Sequence, residues 1–225
     1  MDKQAASDMK LYALISLGLV ATLSTRAAAE PKAVALASAA VAVGAAPDQC
    51  RQALVGQGGP PAWRVMRAAS DGAGAIIAET SRSSVDYRYP ACIFDQLKAS
   101  DVELSVEFTA RDGRVDRAAG LIFRVKDDRN YYVVRANALE DNVNLYRVVD
   151  GRRIEFAGAH LPVASGKTQS LRVRVTGDLI TVFLNGARAF EAKDKTFTGA
   201  GAVGLWSKAD SLVEFGNFSM DVLKE

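Results

Sequence analysis

From Trp63 onward the chain alternates apolar and polar residues with a period of two. Asp101 to Phe108 is the cleanest case: Val102, Leu104, Val106 and Phe108 fall on one side, and Glu103, Ser105 and Glu107 on the other. Successive side chains of a strand point to opposite faces, so this segment predicts a half-buried strand. Leu121, Phe123 and Val125 continue the pattern, as do Val143 and Leu145, Ile154 and Phe156, Leu171, Val173 and Val175, and Ile180, Val182 and Leu184. Asn130 to Asn137 carries Tyr131-Tyr132-Val133-Val134, residue types that favour extended structure. Asp150-Gly151 and Asn185-Gly186 stand between alternating runs, where a tight hairpin turn needs positive φ. The last strands are expected near Ala202–Trp206 and Leu212–Met220. No long segment after residue 60 has helical periodicity. Short strands joined by tight turns predict two packed antiparallel sheets. The span from 60 to 225 exceeds a minimal immunoglobulin sandwich and predicts an all-β jelly roll.

The N-terminal part reads differently. Lys10, the apolar run Leu11 to Val20, and Ala27-Ala28-Ala29 have the layout of a secretory leader: a basic residue, an apolar stretch and a small-residue cleavage site. The run is short of the ~20 apolar residues of a membrane span, with an uncleaved membrane anchor as the alternative. Residues 1–29 are therefore expected to be removed on export, near Ala29-Glu30 or further along the Ala-rich stretch. That would leave a periplasmic or secreted product with no stable membrane span. Asp2 and Asp8 are unusual ahead of such a run, which makes Met9 an alternative start. Glu30 to about Pro47 is dominated by Ala and Val, and residues 30–59 predict a linker or a weak helix outside the fold, with a second half of the leader as the alternative for the Ala-rich part.

Lys+Arg of 28 against Asp+Glu of 26 leaves a net charge of +2. The charges are scattered, so no basic surplus points to nucleic acid. Cys50 and Cys92 could form one bridge in an oxidising compartment. The alternative is that Cys92, within Ala91-Cys92-Ile93-Phe94, is a small buried hydrophobe. The lone histidine, His160, stands beside the Leu161-Pro162 loop start and reads as structural or solvated, so no zinc set of the usual His/Cys kind is expected. Asp112 and Asp116, with Asp127 and Asp128, offer loop carboxylates of the kind that hold Ca²⁺, with a solvated turn as the alternative. No P-loop, dinucleotide fingerprint or nucleophile elbow is present, and no other cofactor is expected.

Alternation also selects a candidate ligand face. Tyr132, Val134 and Ala136 suit the core, which turns Tyr131, Arg135 and Asn137 outward. On the next strand Asn142, Asn144 and Tyr146 face out, and Trp206 alternates with Leu205. Aromatic rings beside amide and guanidinium donors match the needs of a saccharide, an apolar C–H face and hydroxyls that want placed polar partners. The ligand-binding candidates are Tyr131, Arg135, Asn137, Asn142 and Trp206, with Lys208 and Asp210 at the rim. The alternative is an ordinary outer face on which Arg135 merely pairs with Glu140 or Asp141. On the ligand reading, truncating Arg135 or Trp206 should leave stability nearly unchanged.

Ala119-Gly120-Leu121-Ile122-Phe123-Arg124, taken with the run from Asn130-Tyr131-Tyr132-Val133-Val134-Arg135 to Val143, resembles the concanavalin A-like lectin/glucanase superfamily. Within it the chain looks most like the 3-keto-disaccharide hydrolase-like family, whose late strand and loop resemble Val203-Gly204-Leu205-Trp206-Ser207-Lys208-Ala209-Asp210-Ser211. The likeness covers residues 60–222. It implies a jelly roll that binds, and as an enzyme would hydrolyse, a modified di- or oligosaccharide on a concave face. The superfamily also hosts adhesion modules, so a non-enzymatic envelope protein-interaction module is the alternative. Glu103-Leu104-Ser105-Val106-Glu107 looks like the Glu-x-Asp-x-Glu strand of laminarinase-type glycosidases, with Ser105 where that strand has Asp. Glu103 and Glu107 are thus the catalytic candidates. Four residues of strand separate them by ~13 Å, beyond the roughly 5–9.5 Å used in glycoside hydrolysis.

Overall fold

The computed structural model describes residues 32–67 and 74–223. The expected leader, residues 1–29, lies outside the described residues. Those described form fifteen strands. In chain order they are β1 (Lys32–Ala33), β2 (Arg51–Gly56), β3 (Trp63–Arg67), β4 (Ile76–Glu79), β5 (Arg88–Ala99), β6 (Val102–Asp112), β7 (Ala118–Asp127) and β8 (Asn130–Asn137). There follow β9 (Asn142–Val149), β10 (Arg152–His160), β11 (Thr168–Thr176), β12 (Leu179–Leu184), β13 (Ala187–Lys193), β14 (Gly201–Ser207) and β15 (Leu212–Val222). One sheet runs β13-β12-β11-β6-β15-β4-β3, with β1 added to β15. The other runs β10-β9-β8-β7-β14-β5-β2. All pairings are antiparallel, and the two sheets make the jelly-roll sandwich that the alternation predicts. No helix among the described residues is long and apolar enough to cross a membrane.

The inter-sheet core holds the residues that alternation turned inward, among them Leu104, Val106, Leu121, Tyr132, Leu145 and Val173. The two hairpin turns carry positive φ at both central residues, 50° and 82° at Asp150-Gly151 and 51° and 79° at Asn185-Gly186. Among several register shifts, the one in β7 breaks the expected alternation of Leu121, Phe123 and Val125. Arg124 takes φ 49°, and the register with β8 shifts after Phe123. The bulge turns Val125 to the outer side, away from Leu121 and Phe123. It buries the Arg124 guanidinium against the carbonyls of Ser100, Phe197 and Gly177. Gly201 on β14 makes the bulge possible, because a Cβ there would meet the Arg124 carbonyl carbon at 2.4 Å.

The 30–59 stretch is not a linker outside the fold. β1 pairs with β15, Leu36 and Ala37 are buried in the main core, and Gly44 donates to the Val65 carbonyl. The segment then reaches the other sheet, where β2 pairs with β5 and buries Ala53 and Val55. Its end is fixed by a disulfide: Cys50 is bonded to Cys92, with Cα atoms 5.3 Å apart. Cys92 is also fully buried, so both readings of that residue describe it.

Candidate functional site

The outer face of the seven-stranded sheet is built from a row of cross-strand partners. Ala53, Ala91, Trp206, Gly120, Arg135, Asn144 and Gly158 follow one another across β2, β5, β14, β7, β8, β9 and β10. Large side chains lie over small neighbours. A Cβ on Gly120 would meet the Trp206 ring at 3.0 Å, and one on Gly158 would meet Asn144 Oδ1 at 2.2 Å. This face is not an open groove. Tyr87 Oη donates to the Gly151 carbonyl at 3.1 Å, which ties the start of β5 to the β9–β10 turn. The Arg153 guanidinium lies 4.5 Å from the Tyr146 ring centre, 4.7 Å from Tyr89 and 5.7 Å from Trp206. The Tyr89 and Trp206 rings stack with centroids 5.4 Å apart.

The consequence corrects the expected ligand face. Tyr131, Arg135, Asn137 and Trp206 do leave the inter-sheet core, but all are between 0 and 3% exposed. Tyr131 and Trp206 belong to a second buried cluster with Ile122, Val133 and Tyr146. Their truncation would therefore cost stability, because large side chains would leave cavities. Asn137 is a structural link. Its amide donates to Asp116 at 2.8 Å, and its carbonyl oxygen accepts from the Leu139 N–H at 2.9 Å. Asp210 accepts the backbone N–H groups of Arg114, Val115 and Asp116 at 2.8–3.1 Å, so it shapes the β6–β7 loop. Burial works against its charge, but those three donors outweigh it and hold the carboxyl below its ordinary 3.8.

The face stays open at its polar end. Arg135 Nη1 donates to Asn142 Oδ1 at 2.8 Å, and Nη2 donates to Glu140 Oε2 at 2.7 Å and Tyr146 Oη at 3.0 Å. Asn142 Nδ2 closes the ring on Glu140 at 3.0 Å. Asn144 Nδ2 donates to Tyr146 Oη at 3.2 Å and to Glu155 at 3.0 Å. Burial raises the Glu140 carboxyl, but the Asn142 and Arg135 hydrogen bonds outweigh it and keep it below 4.5. Beside this network is a cleft of about 470 Å³ whose walls include Asn142, Asn144, Glu155, Gly158 and His160. Gly158 makes room for the Asn144 amide in its wall, and a register shift between Glu155 and Ala157 shapes the same wall. Lys208, nearly buried, bridges Asp116 at 2.7 Å and the exposed Asp86 at 2.5 Å. Desolvation opposes its charge, but the two carboxylates outweigh it and raise its pKa above 10.5. Of the predicted residues Asn142 thus lines the cleft, Arg135 is buried behind it and donates to it, and Lys208 lies in the adjoining network. Glu140, Tyr146 and Glu155 complete the arrangement. The Arg135–Glu140 pair weighed in the sequence reading is present as well.

The remaining candidates lie elsewhere. Glu103 and Glu107 sit on β6, on the outer face of the other sheet, so the whole sandwich separates them from the cleft. Glu103 pairs with Arg172 at 3.1 Å, and Glu107 accepts from Asn217 at 2.8 Å. Asp112 pairs with Arg82 at 2.6 Å, whereas Asp116 holds Lys208 and Asn137, so the two do not form a common cation site. Among the described residues no cluster of three metal-ligating side chains occurs.

Comparison with known proteins places the fold. No family model matches the chain. The solved carbohydrate-binding module CBM66 of Bacillus subtilis superposes with a TM-score of 0.57 at 21% identity, covering 77% of this chain and 97% of that one. A Bacillus subtilis protein of unknown function with a galectin-like fold gives 0.52 at 11% identity, covering 76% and 87%. Among curated proteins, a levanase of Bacillus subtilis is 25% identical over 131 residues, 57% of this chain. The match spans only 19% of the levanase. The fold is thus the jelly roll of concanavalin A-like and galectin-like sandwiches.

Proposed function

We propose that this chain is an exported saccharide-binding sandwich that seats sugar units in the cleft beside Arg135, Asn142, Asn144 and Glu155. The observation that carries this reading is the fixed Arg135–Glu140–Asn142 network at the edge of that cleft. The buried Arg135 guanidinium locks Asn142 and the half-exposed Glu140 in a set geometry, which lowers the ordering cost of binding. The likeness to a module described as carbohydrate-binding and to a levanase makes fructose-based glycans the first ligands to test. The Cys50–Cys92 bond supports an oxidising compartment.

Binding without cleavage is the favoured form. Glycoside hydrolysis uses two carboxylates flanking the bond, whereas Glu155 is, among the described residues, the one carboxylate lining the cleft and Glu140 beside it is tied to Arg135 and Asn142. A glycan array with the whole chain, followed by calorimetric titration of the glycans it retains, tests the proposal. Glu140→Gln and Asn142→Ala should each weaken binding about tenfold or more, the effect of losing a charge-assisted hydrogen bond. Retention of no glycan, or full affinity in both variants, would reject it. Release of sugar from a bound glycan would replace binding by hydrolysis.

A further inference from the structure

On the same outer face as Arg135, a second guanidinium is held in a different way. Arg135 is fixed by Glu140, Asn142 and Tyr146. Arg153, half-buried on the edge strand β10, rests on Tyr146, Tyr89 and Trp206, and its buried Nη1 has no hydrogen-bond partner. Trp206 Nε1 and Tyr131 Oη, neighbours in the cluster these rings form, are also buried without a partner of hydrogen-bonding geometry. Buried polar atoms left unpaired carry an uncompensated desolvation cost, so this closed arrangement is under-satisfied. A guanidinium over rings is attracted by their π faces, but at a half-exposed site that attraction is modest. An edge strand next to the Asp150-Gly151 turn lets the Arg153 side chain move to solvent with no change in the sheet.

Tyr146 joins the two regions. Its ring lies under Arg153, and its hydroxyl accepts from Arg135 and Asn144 at the cleft. We infer that Arg153 is a displaceable plug over a second sugar subsite. When it swings out, Tyr89, Tyr146 and Trp206 form a stacking floor for the C–H face of a sugar ring next to the one in the cleft. Hydroxyls of that ring then pair with Trp206 Nε1 and Tyr131 Oη. The inference rests on the saccharide-binding reading and extends it from one sugar position to two.

The test uses the full chain carrying Trp63→Phe, which leaves Trp206 as the only tryptophan. Adding Arg153→Ala should raise acrylamide quenching of Trp206 severalfold, with the melting temperature little changed. An oligosaccharide retained by the array should restore protection. It should also bind more tightly than to the Arg153 protein, by about tenfold if the open form is a tenth of the molecules. Trp206 that stays shielded in the alanine variant overturns the plug. So does loss of folding in both Arg153→Ala and Arg153→Met, because the methionine keeps the apolar stem. Trp206 that is uncovered but not protected by a glycan that still binds the Arg153 protein overturns the subsite and leaves the cleft standing. No glycan binding by either protein overturns both readings.

Discussion

The two buried regions of this sandwich differ in kind. The inter-sheet core is filled from both sides by aliphatic and aromatic residues such as Leu104, Val106, Phe123 and Val173. The second region lies on the outer face of one sheet and is closed by that sheet's own curl and by Arg153. It mixes Trp206, Tyr131, Tyr146 and Tyr89 with buried polar atoms that lack partners. The first region needs no ligand to be complete. The second is an amphipathic surface that has been covered, and its open end is a polar cleft. Burial therefore does not by itself make a residue part of the folding core.

The comparison can be pressed hardest in the inner region. Val106 is fully buried between the sheets. Val106→Asp would place a charge there with no partner, a cost of several kcal/mol, and circular dichroism should report no cooperative unfolding. Trp206→Ala probes the outer region. Trp206 is packed within that cluster, so urea titration should show a loss of about 3–5 kcal/mol; almost no loss would contradict its burial. Removing the disulfide with Cys50→Ala should cost about 2–4 kcal/mol, since it frees a loop between residues 42 apart that spans the two sheets. A melting curve unchanged under reductant would contradict that role.

The smallest effect concerns acid. Asp210, Asp194 and Glu140 all titrate below their ordinary values in the folded chain. A depressed carboxylate contributes stability above its unfolded pKa and loses it as pH falls through the folded value. The urea midpoint should therefore decline progressively below about pH 4. Asp210→Asn should flatten part of that decline, because the three backbone donors would then face a neutral side chain.

Much of the fold was legible in the sequence because one face of each strand is buried and the other is not. The alternation in 101–108 and the Asp-Gly and Asn-Gly turns carried the architecture. The Arg124 bulge was not legible, since its cause is a glycine on a neighbouring strand. Residues 32–56 escaped because an Ala- and Val-rich run shows little contrast between faces. At the site, alternation chose the correct side for Tyr131, Arg135, Asn137 and Trp206 but could not show that the sheet curls over them. That curl brings Tyr89 and Arg153 together from distant strands, and no local pattern encodes it. Asp210 and Asn137 are polar for loop-building reasons, which composition does not separate from ligand binding.

The central claim is that sugar enters the cleft beside Asn144, whose amide is seated over Gly158. Gly158→Ala tests this most directly, because its Cβ would displace Asn144 Oδ1, 2.2 Å away, while residue 158 itself lies at the surface. Calorimetric titration of the array-selected glycan should show affinity reduced about tenfold or more, with the melting temperature nearly that of the parent. Undiminished affinity in a folded Gly158→Ala protein would place the ligand elsewhere and contradict the account.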